Sequence, residues 1–531
     1  MTWGHLYDLV GLLRKKNSKV KKIGLPNMEY KQLLMIILIF IMPLLVLKLW
    51  SKLQNKNKQP KKRPPGPKKL PFLGNLHQLR GDLPYKILQK LSKEHGPLML
   101  LQLGSVPTLV ISSADVAREI FKPHDLAFSS RPPLYVQKRL TYECNDITFA
   151  PYGEHWRQVR KLVLLEMLSV KRVQSFRSTR EDEVDSMINS IAQCSPNPVN
   201  LSEITPSLTN DVICRIAFGT KYDSSGGSNG KVKLKIHDIF HDVQNLQGRF
   251  NVADFYPWLG WFLNKFNGVN TSLEKNFGEM DKFFDEIIKK HMETTVDHET
   301  FVSVLLRLQK DPDQTIALTD NIVKGLLMDM FIAGTDTSSA SLVWIMTELI
   351  KNPCVMKKAQ DEVRQVVNGK QRVEESDLAQ ISYLKLIIKE TLRLHPPAPL
   401  LVPRETIEPC KIREYEIPAK TRVFVNAKAI STDPNVWDNP NKFDPDRFVD
   451  SLIDYRGHDF ELIPFGVGRR GCPGMNFATL LVEIALANLL YCFDWTLPKG
   501  MTRDDVNMDE AIGVTVRKKE PLLLLATPKS L

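Results

Sequence analysis

Residues 465–474 read Phe-Gly-Val-Gly-Arg-Arg-Gly-Cys-Pro-Gly, and this stretch decides the fold. It sets Cys472 in a glycine-rich loop with Arg469 and Arg470 just ahead of it, and a helical pattern runs on from Met475 through Leu490. Glycines permit a tight turn whose amides point at the sulfur. A following helix N-terminus and nearby guanidinium charges are expected to lower the thiol pKa. Such a loop suits a thiolate that must ligate something; a buried structural cysteine in an ordinary turn is the other reading.

Working outward, Asn321–Lys351 forms a long helical pattern interrupted by Ala333-Gly334-Thr335-Asp336-Thr337-Ser338-Ser339. A glycine, an acid and four hydroxyls are costly inside a buried helix. Small side chains there leave room for something bulky, and hydroxyls hydrogen-bond ligand or water and relay protons. Glu390 and Arg393 are three apart and pair on one helix face. Pro396 and Pro397 end that helix. Trp156 and Arg160, four apart, can face one partner. Leu98–Leu103 and Thr108–Ile111 around Gly104–Ser105 read as a β-hairpin.

Taken together these stretches resemble the cytochrome P-450 family. The loop matches Phe-x-x-Gly-x-Arg-x-Cys-x-Gly at Phe465, Gly468, Arg470, Cys472 and Gly474. The resemblance runs from the apolar N-terminal stretch to the C-terminus, with the motifs in the family's order. Phe149-Ala150-Pro151-Tyr152-Gly153 and Leu394-His395-Pro396-Pro397-Ala398-Pro399 look like the plant A-type, endoplasmic-reticulum branch. It implies a mainly α fold with small β-sheets, and haem b with Cys472 as the metal ligand. Phe465 and Gly474 belong to that cofactor-binding loop. Trp156, Arg160, Arg404 and Arg470 match contacts to the haem propionates, with Arg131 a further candidate. Arginine suits carboxylates geometrically. Thr337 and Asp336 match the oxygen-activating pair, Thr337 in the hydrogen-bond network at the oxygen site and Asp336 delivering protons. Glu390, Arg393 and Arg447 are expected to form a buried charge network; Asp446 stands where the family pattern has glutamate.

The reaction so implied inserts one atom of O2 into an apolar organic substrate and reduces the other to water. A thiolate on haem iron favours O–O cleavage. No Gly-x-Gly-x-x-Gly after a strand marks a nicotinamide site, so electrons are expected from NADPH through a separate NADPH–cytochrome P-450 reductase. Arg157, Lys161 and Arg469 are placed to dock it, in a salt-sensitive way. The pocket is expected to be lined by the loop before Trp156, the helix around Met330 and Ala333, the stretch Ala398–Val402, and the tip Ala511-Ile512-Gly513-Val514. An apolar lining suits a hydrophobic small molecule: a terpenoid, an alkaloid or a phenolic. Two alternatives stay open, a member that isomerises or dehydrates an oxygenated substrate, and a non-enzymatic haem-binding sensor. Asp336 and Thr337 argue against both.

The chain has 531 residues, 43% hydrophobic and 25% charged, with a net charge of +12. That composition excludes wholesale disorder. Much of the basic excess flanks an apolar N-terminal stretch, which fits an anionic membrane surface rather than nucleic acid. Seven cysteines, none in a Cys-x-x-Cys pair, argue against a disulfide framework or a zinc ribbon and fit a reducing compartment. Leu33–Leu47 is unbroken apolar sequence, with Tyr30 and Trp50 at its flanks. We read residues 31–50 as a transmembrane signal-anchor in the lipid of the endoplasmic reticulum, single-pass, with the basic flank after Trp50 on the cytosolic side. Residues 1–30 form a second basic segment, in which Met28 is an alternative start. Residues 51–71 are a basic, proline-rich hinge, and 72–531 the catalytic domain. Asn200 and Asn270 match the glycosylation sequon by chance if the body is cytosolic.

Overall fold

The hairpin expected around Gly104 forms as written. Leu98–Leu103 (β1) pairs antiparallel with Val106–Ile111 (β2), with Leu103 opposite Val106, and Gly104 takes the left-handed conformation of the turn (φ 60°). These elements come from a computed structural model, which describes residues 62–220, 242–243, 246–248, 251–264, 268–293, 299–314, 316–511 and 513–529. The expected anchor, the N-terminal extension, residues 51–61 of the hinge and Ile512 lie outside the described residues. Arg63–Leu531 forms one compact unit.

Five helices and two further strands position the site. They are α1 (Glu154–Leu162), α2 (Leu201–Phe218), α3 (Asp320–Lys351), α4 (Tyr383–Leu394), β3 (Arg404–Glu405), β4 (Arg422–Val425) and α5 (Met475–Cys492). β4 joins β2 in parallel and β3 antiparallel, so the sheet runs β1-β2-β4-β3. This short sheet ends at β3 and fixes Arg404 at the floor of the protein's interior.

α3 is roughly 48 Å long at about 1.5 Å per residue. The Thr319 hydroxyl caps it by accepting from the Ile322 amide, and Asp320 sits in its first turn. It is apolar on all sides, so it needs neighbours on all sides. Its most extensive contact is with α2. Gly334 makes that approach possible, since a Cβ there would stand 2.7 Å from Ile213 Cδ1. Thr209 on α2 donates its hydroxyl to the Thr335 carbonyl at 2.9 Å, tying the two helices at the polar interruption.

α5 is long and apolar enough to cross a bilayer, but most of it is buried within the protein, as a core helix must be. All seven cysteines are free.

The Glu390 network forms as expected. Arg393 clasps Glu390 with two bonds, Nε to Oε2 at 2.7 Å and Nη2 to Oε1 at 2.8 Å, both side chains fully buried. Arg447 Nε adds a third at 3.1 Å. Asp446 takes no part; it pairs with Lys358 at the surface, 2.6 Å away.

Candidate active site

α3, the Phe465–Gly474 loop, the segment after α4 and the loop before α1 enclose one largely apolar cavity. It offers about 270 Å³ to the centres of water-sized spheres. Met330, Ala333, Gly334 and Thr337 line it from α3. Phe465, Cys472 and Gly474 line it from the loop, as their motif predicts. Ala333 is the exposed residue of this interior helix turn because its surface faces the cavity. Thr337 Oγ1 donates to the Ala333 carbonyl at 2.8 Å.

Cys472 is accessible only toward the cavity, which the protein encloses. Its amide donates to the Phe465 carbonyl at 2.9 Å, which closes the loop on itself. The expected lowering of its thiol is reversed in the protein alone. Burial is the largest effect and pushes the thiol up, against the Gly474 amide and the Arg160 guanidinium, which pull it down. Sequence reasoning counted the charges and missed the burial. A metal cation at the sulfur inverts this balance.

Asp336 departs from its neighbour Thr337. It is buried off the cavity, in an ion pair with Arg517 of the C-terminal strand Arg517–Lys518. Burial pushes its carboxyl up, while Arg517 and the Thr515 hydroxyl act the other way.

Four arginines, Arg131, Arg160, Arg404 and Arg470, meet at one end of the cavity. Arg131 donates to the carbonyls of Thr148, Val402 and Pro403. Arg470 donates to those of Ser129, Ile147 and Ala150, and Arg160 to that of Gly471. Among the described residues, only Arg404 of the four has an ion-pair partner, Asp125 at 3.3 Å. Burial, then the charges of Arg404 and Arg160, push Arg470 down to about 9. Burial also brings Arg404 to about 10, and Arg131 is held well below its ordinary value by burial and the Arg470 and Arg404 charges. A guanidinium does not give up its proton in proteins, so this crowding is relieved by an anion. Two ligand carboxylates at the arginines, an apolar plane beside α3 and a thiolate below are what haem b requires, and the residues present fit it.

Trp156 does not face that anion site as expected. Its indole N–H is spent on the Ile147 carbonyl at 2.9 Å. The ring instead lies under Arg470, 4.0 Å from its guanidinium carbon, and 5.4 Å from that of Arg160. Of the four expected lining regions, the loop before Trp156 and the helix around Met330 and Ala333 line the cavity, and the other two need correction. Ala398, Leu401 and Val402 line the cavity, but Leu400 packs with Tyr85 and Val516 instead. Val514 is exposed and does not line it.

The surface charges near Cys472 are partly spent. Arg157 pairs with Glu154 and Arg469 with Asp125, 2.9 Å away. Two acids escaped sequence reasoning. Asp125 has no local signal, since it meets Arg404 from 279 residues away. Asp329 had one: it stands eight residues before Thr337, two turns along the same face of α3, and lines the cavity.

Residues 64–525 match the protein-family model described as Cytochrome P450. The chain is 56% identical to Strychnine-11-hydroxylase of Strychnos nux-vomica over 499 residues, covering 93% of this chain and 97% of that protein. It is 57% identical to Cytochrome P450 71A9 of Glycine max over 471 residues, 88% and 93% of the two chains. Desmethyl-deoxy-podophyllotoxin synthase of Sinopodophyllum hexandrum is 46% identical over 503 residues, 93% and 96% of the two. Among solved structures, a zebrafish cytochrome P450 with progesterone superposes with a TM-score of 0.73 at 24% identity, covering 85% of this chain and all of that one.

Proposed function

The chain belongs to the cytochrome P450 family of monooxygenases, and we propose that it inserts one atom of O2 into a hydrophobic plant specialised metabolite, with haem b ligated by Cys472. The observation that carries this reading is that Cys472 and Thr337, 135 positions apart in sequence, line one apolar cavity with four arginines at its edge. Relatives named for strychnine and for a podophyllotoxin precursor support a specialised metabolite as substrate. The electrons come from NADPH through NADPH–cytochrome P450 reductase, and residues 31–50 hold the enzyme in the endoplasmic-reticulum membrane with its body in the cytosol.

Bound haem supplies the activation of O2, a chemistry that belongs to the cofactor. The chain supplies position, dryness and protons. Arg160, Arg404 and Arg470, joined by Arg131, would hold the two carboxylates of the bound haem. Trp156 braces Arg470 from beneath. Phe465 and Gly474 pack beside the sulfur and keep water from it. Ala333 and Gly334 leave the space in which substrate lies against α3. Thr337 turns its hydroxyl from the Ala333 carbonyl toward the cavity to hand on a proton, and Asp336, the residue before it on α3, refills it as a general acid.

The test is the reduced, carbon-monoxide-bound spectrum of the microsomal protein beside Cys472→Ser. A strongly red-shifted Soret band in the wild type, lost in the variant, is expected. Substrate candidates are then scored by product formed against NADPH and O2 consumed with added reductase. Folded wild-type protein without a haem band overturns the reading.

A further inference from the structure

Residues 145–150 join the substrate-side helix to the arginines, and their two backbone edges point to different partners. The carbonyl of Ile147 accepts from Trp156 at 2.9 Å and from Arg470 at 3.2 Å. The Thr148 carbonyl accepts from Arg131 at 3.0 Å and the Ala150 carbonyl from Arg470 at 2.6 Å. The amides go to two acids instead. Asp329 Oδ2 accepts from Ile147 at 2.8 Å and from Thr148 at 3.4 Å, and Asp146 Oδ2 accepts from Phe149 at 2.9 Å. The loop thus hangs between carboxylates on one edge and guanidiniums on the other.

It needs such anchors. Tyr142, Glu143 and Cys144, just ahead of it, stand consecutively in the left-handed region at φ 52°, 65° and 61°. Each is a strained conformation that persists only where the surroundings hold it. Asp146 is fully buried, and its Oδ1 has no hydrogen-bond partner among the described residues. Asp329, almost as buried, lies beside it, and neither carboxylate has an ion-pair partner among the described residues. Two ionised carboxylates in this position would repel in a low-dielectric setting. A proton between them removes the repulsion and gives Asp146 Oδ1 a partner.

We propose that Asp146 and Asp329 share one proton, and that the pair is a positioning unit which fixes residues 146–150 so that Arg131 and Arg470 present their guanidiniums to the haem carboxylates. The proposal rests on the haem-thiolate reading above. Burial and the neighbouring acid push Asp146 well above the usual carboxylate range, and burial brings Asp329 to about 6, so the pair keeps a proton at neutral pH. The Cys144 thiol faces Asp146 from two residues ahead, and the charged groups facing the pair are Arg131, ahead of the loop, and Arg470, from the haem loop. Both attract the ionised form and set the upper end of the window. The Thr148 hydroxyl and the Ile147, Thr148 and Phe149 amides complete the surroundings.

The test is haem loss from the holoenzyme to excess apomyoglobin, followed from pH 6 to 9.5, for wild type, Asp329→Asn, Asp146→Asn and Asp329→Leu. Asparagine keeps an oxygen for the loop amides and supplies, at every pH, the donor that the shared proton supplies in the wild type. The wild-type rate is expected to rise roughly tenfold toward pH 9.5 as the second carboxyl ionises and about 1.4 kcal/mol of holding is lost. Both asparagine variants stay near the wild-type neutral rate and lose the alkaline rise. Asp329→Leu loses haem at least tenfold faster throughout; if it fails to fold, the asparagine profiles decide alone. A haem-loaded wild type with Asp329→Asn as leaky as Asp329→Leu, an asparagine variant that keeps the alkaline rise, or a wild type flat in pH overturns this proposal alone. Folded wild-type protein that holds no haem overturns the haem-thiolate reading and the proposal with it.

Discussion

Gly468 lies against Asp125 so closely that a Cβ on the glycine would overlap the carboxylate. That carboxylate accepts from the Arg469 amide at 3.0 Å, from Arg469 Nη1 at 2.9 Å and from Arg404 Nη1 at 3.3 Å. One acid therefore ties the cysteine loop to β3. Gly468 also stands at φ 64°, where a side chain is strained. Gly468→Ala combines both penalties and is expected to cost about 2 kcal/mol or more and to lower the haem-to-protein ratio severalfold. Asp125→Asn keeps the volume and loses the charge, so it falls between that variant and wild type. Thermal melting and the haem-to-protein ratio check both; a Gly468→Ala protein with wild-type values would show that the loop does not depend on this contact.

Glu390 is the buried acid on which two arginines converge, and it also accepts from the Asp444 amide at 2.9 Å. Glu390→Ala leaves Arg393 charged and fully buried, at roughly 3–5 kcal/mol. The protein is expected to express largely haem-free, with the loss visible in denaturant titration. Asp446→Glu restores the family's residue at a surface position that meets Lys358 and the Tyr383 hydroxyl, outside the Glu390 network. Its effect is expected within about 0.5 kcal/mol, which separates the network from the sequence motif that advertises it.

The cysteine loop, the hairpin, α3 and the Glu390 network were legible in sequence because each is a local pattern: a turn, an alternation, a helical period, a three-residue spacing. Phe465, Cys472, Thr337 and the arginines reach one cavity as their motifs imply. What could not be read depends on direction or distance. Trp156 and Arg160 sit four apart, yet the indole N–H found a nearer carbonyl at Ile147. Asp336 and Thr337 are adjacent, and adjacent helical residues diverge by about 100° (a full turn spans 3.6 residues), so one lines the cavity and the other meets Arg517. Asp125 acts across most of the chain. The sign of the Cys472 shift depended on burial, which no count of charges supplies.

The Asp336–Arg517 pair predicts a pH dependence with a definite sign. Burial raises the Asp336 carboxyl and Arg517 is the largest influence lowering it. Arg517→Ala removes that influence, so the carboxyl rises further. A general acid must be protonated to act, so the alkaline limb of the turnover profile is then expected to move to higher pH. A group whose folded value lies above its unfolded value of about 3.9 contributes most stability below that pH and loses it as pH rises through the folded value. Arg517→Ala should therefore lower the melting temperature more at pH 7.5 than at pH 5, both values being checked by calorimetry. An unmoved alkaline limb would detach Asp336 from the proton supply.

Lys161 is the basic residue to test for reductase docking. It is exposed and makes no ion pair among the described residues, whereas Arg157 is shared with Glu154 and Arg469 with Asp125. Exposed charges act over about 10 Å at 0.1 M salt and about 3 Å at 1 M, and they steer association more than they hold a complex. Lys161→Glu is expected to raise the half-saturating reductase concentration on the order of tenfold at low ionic strength and less than twofold in about 0.5 M salt. Arg157→Glu should have the smaller effect, because Glu154 already cancels part of its field. The carbon-monoxide spectrum of both variants should match the wild type, since neither side chain lines the cavity. Equal reductase dependence for Lys161→Glu and wild type at low salt would move the docking face elsewhere on the molecule.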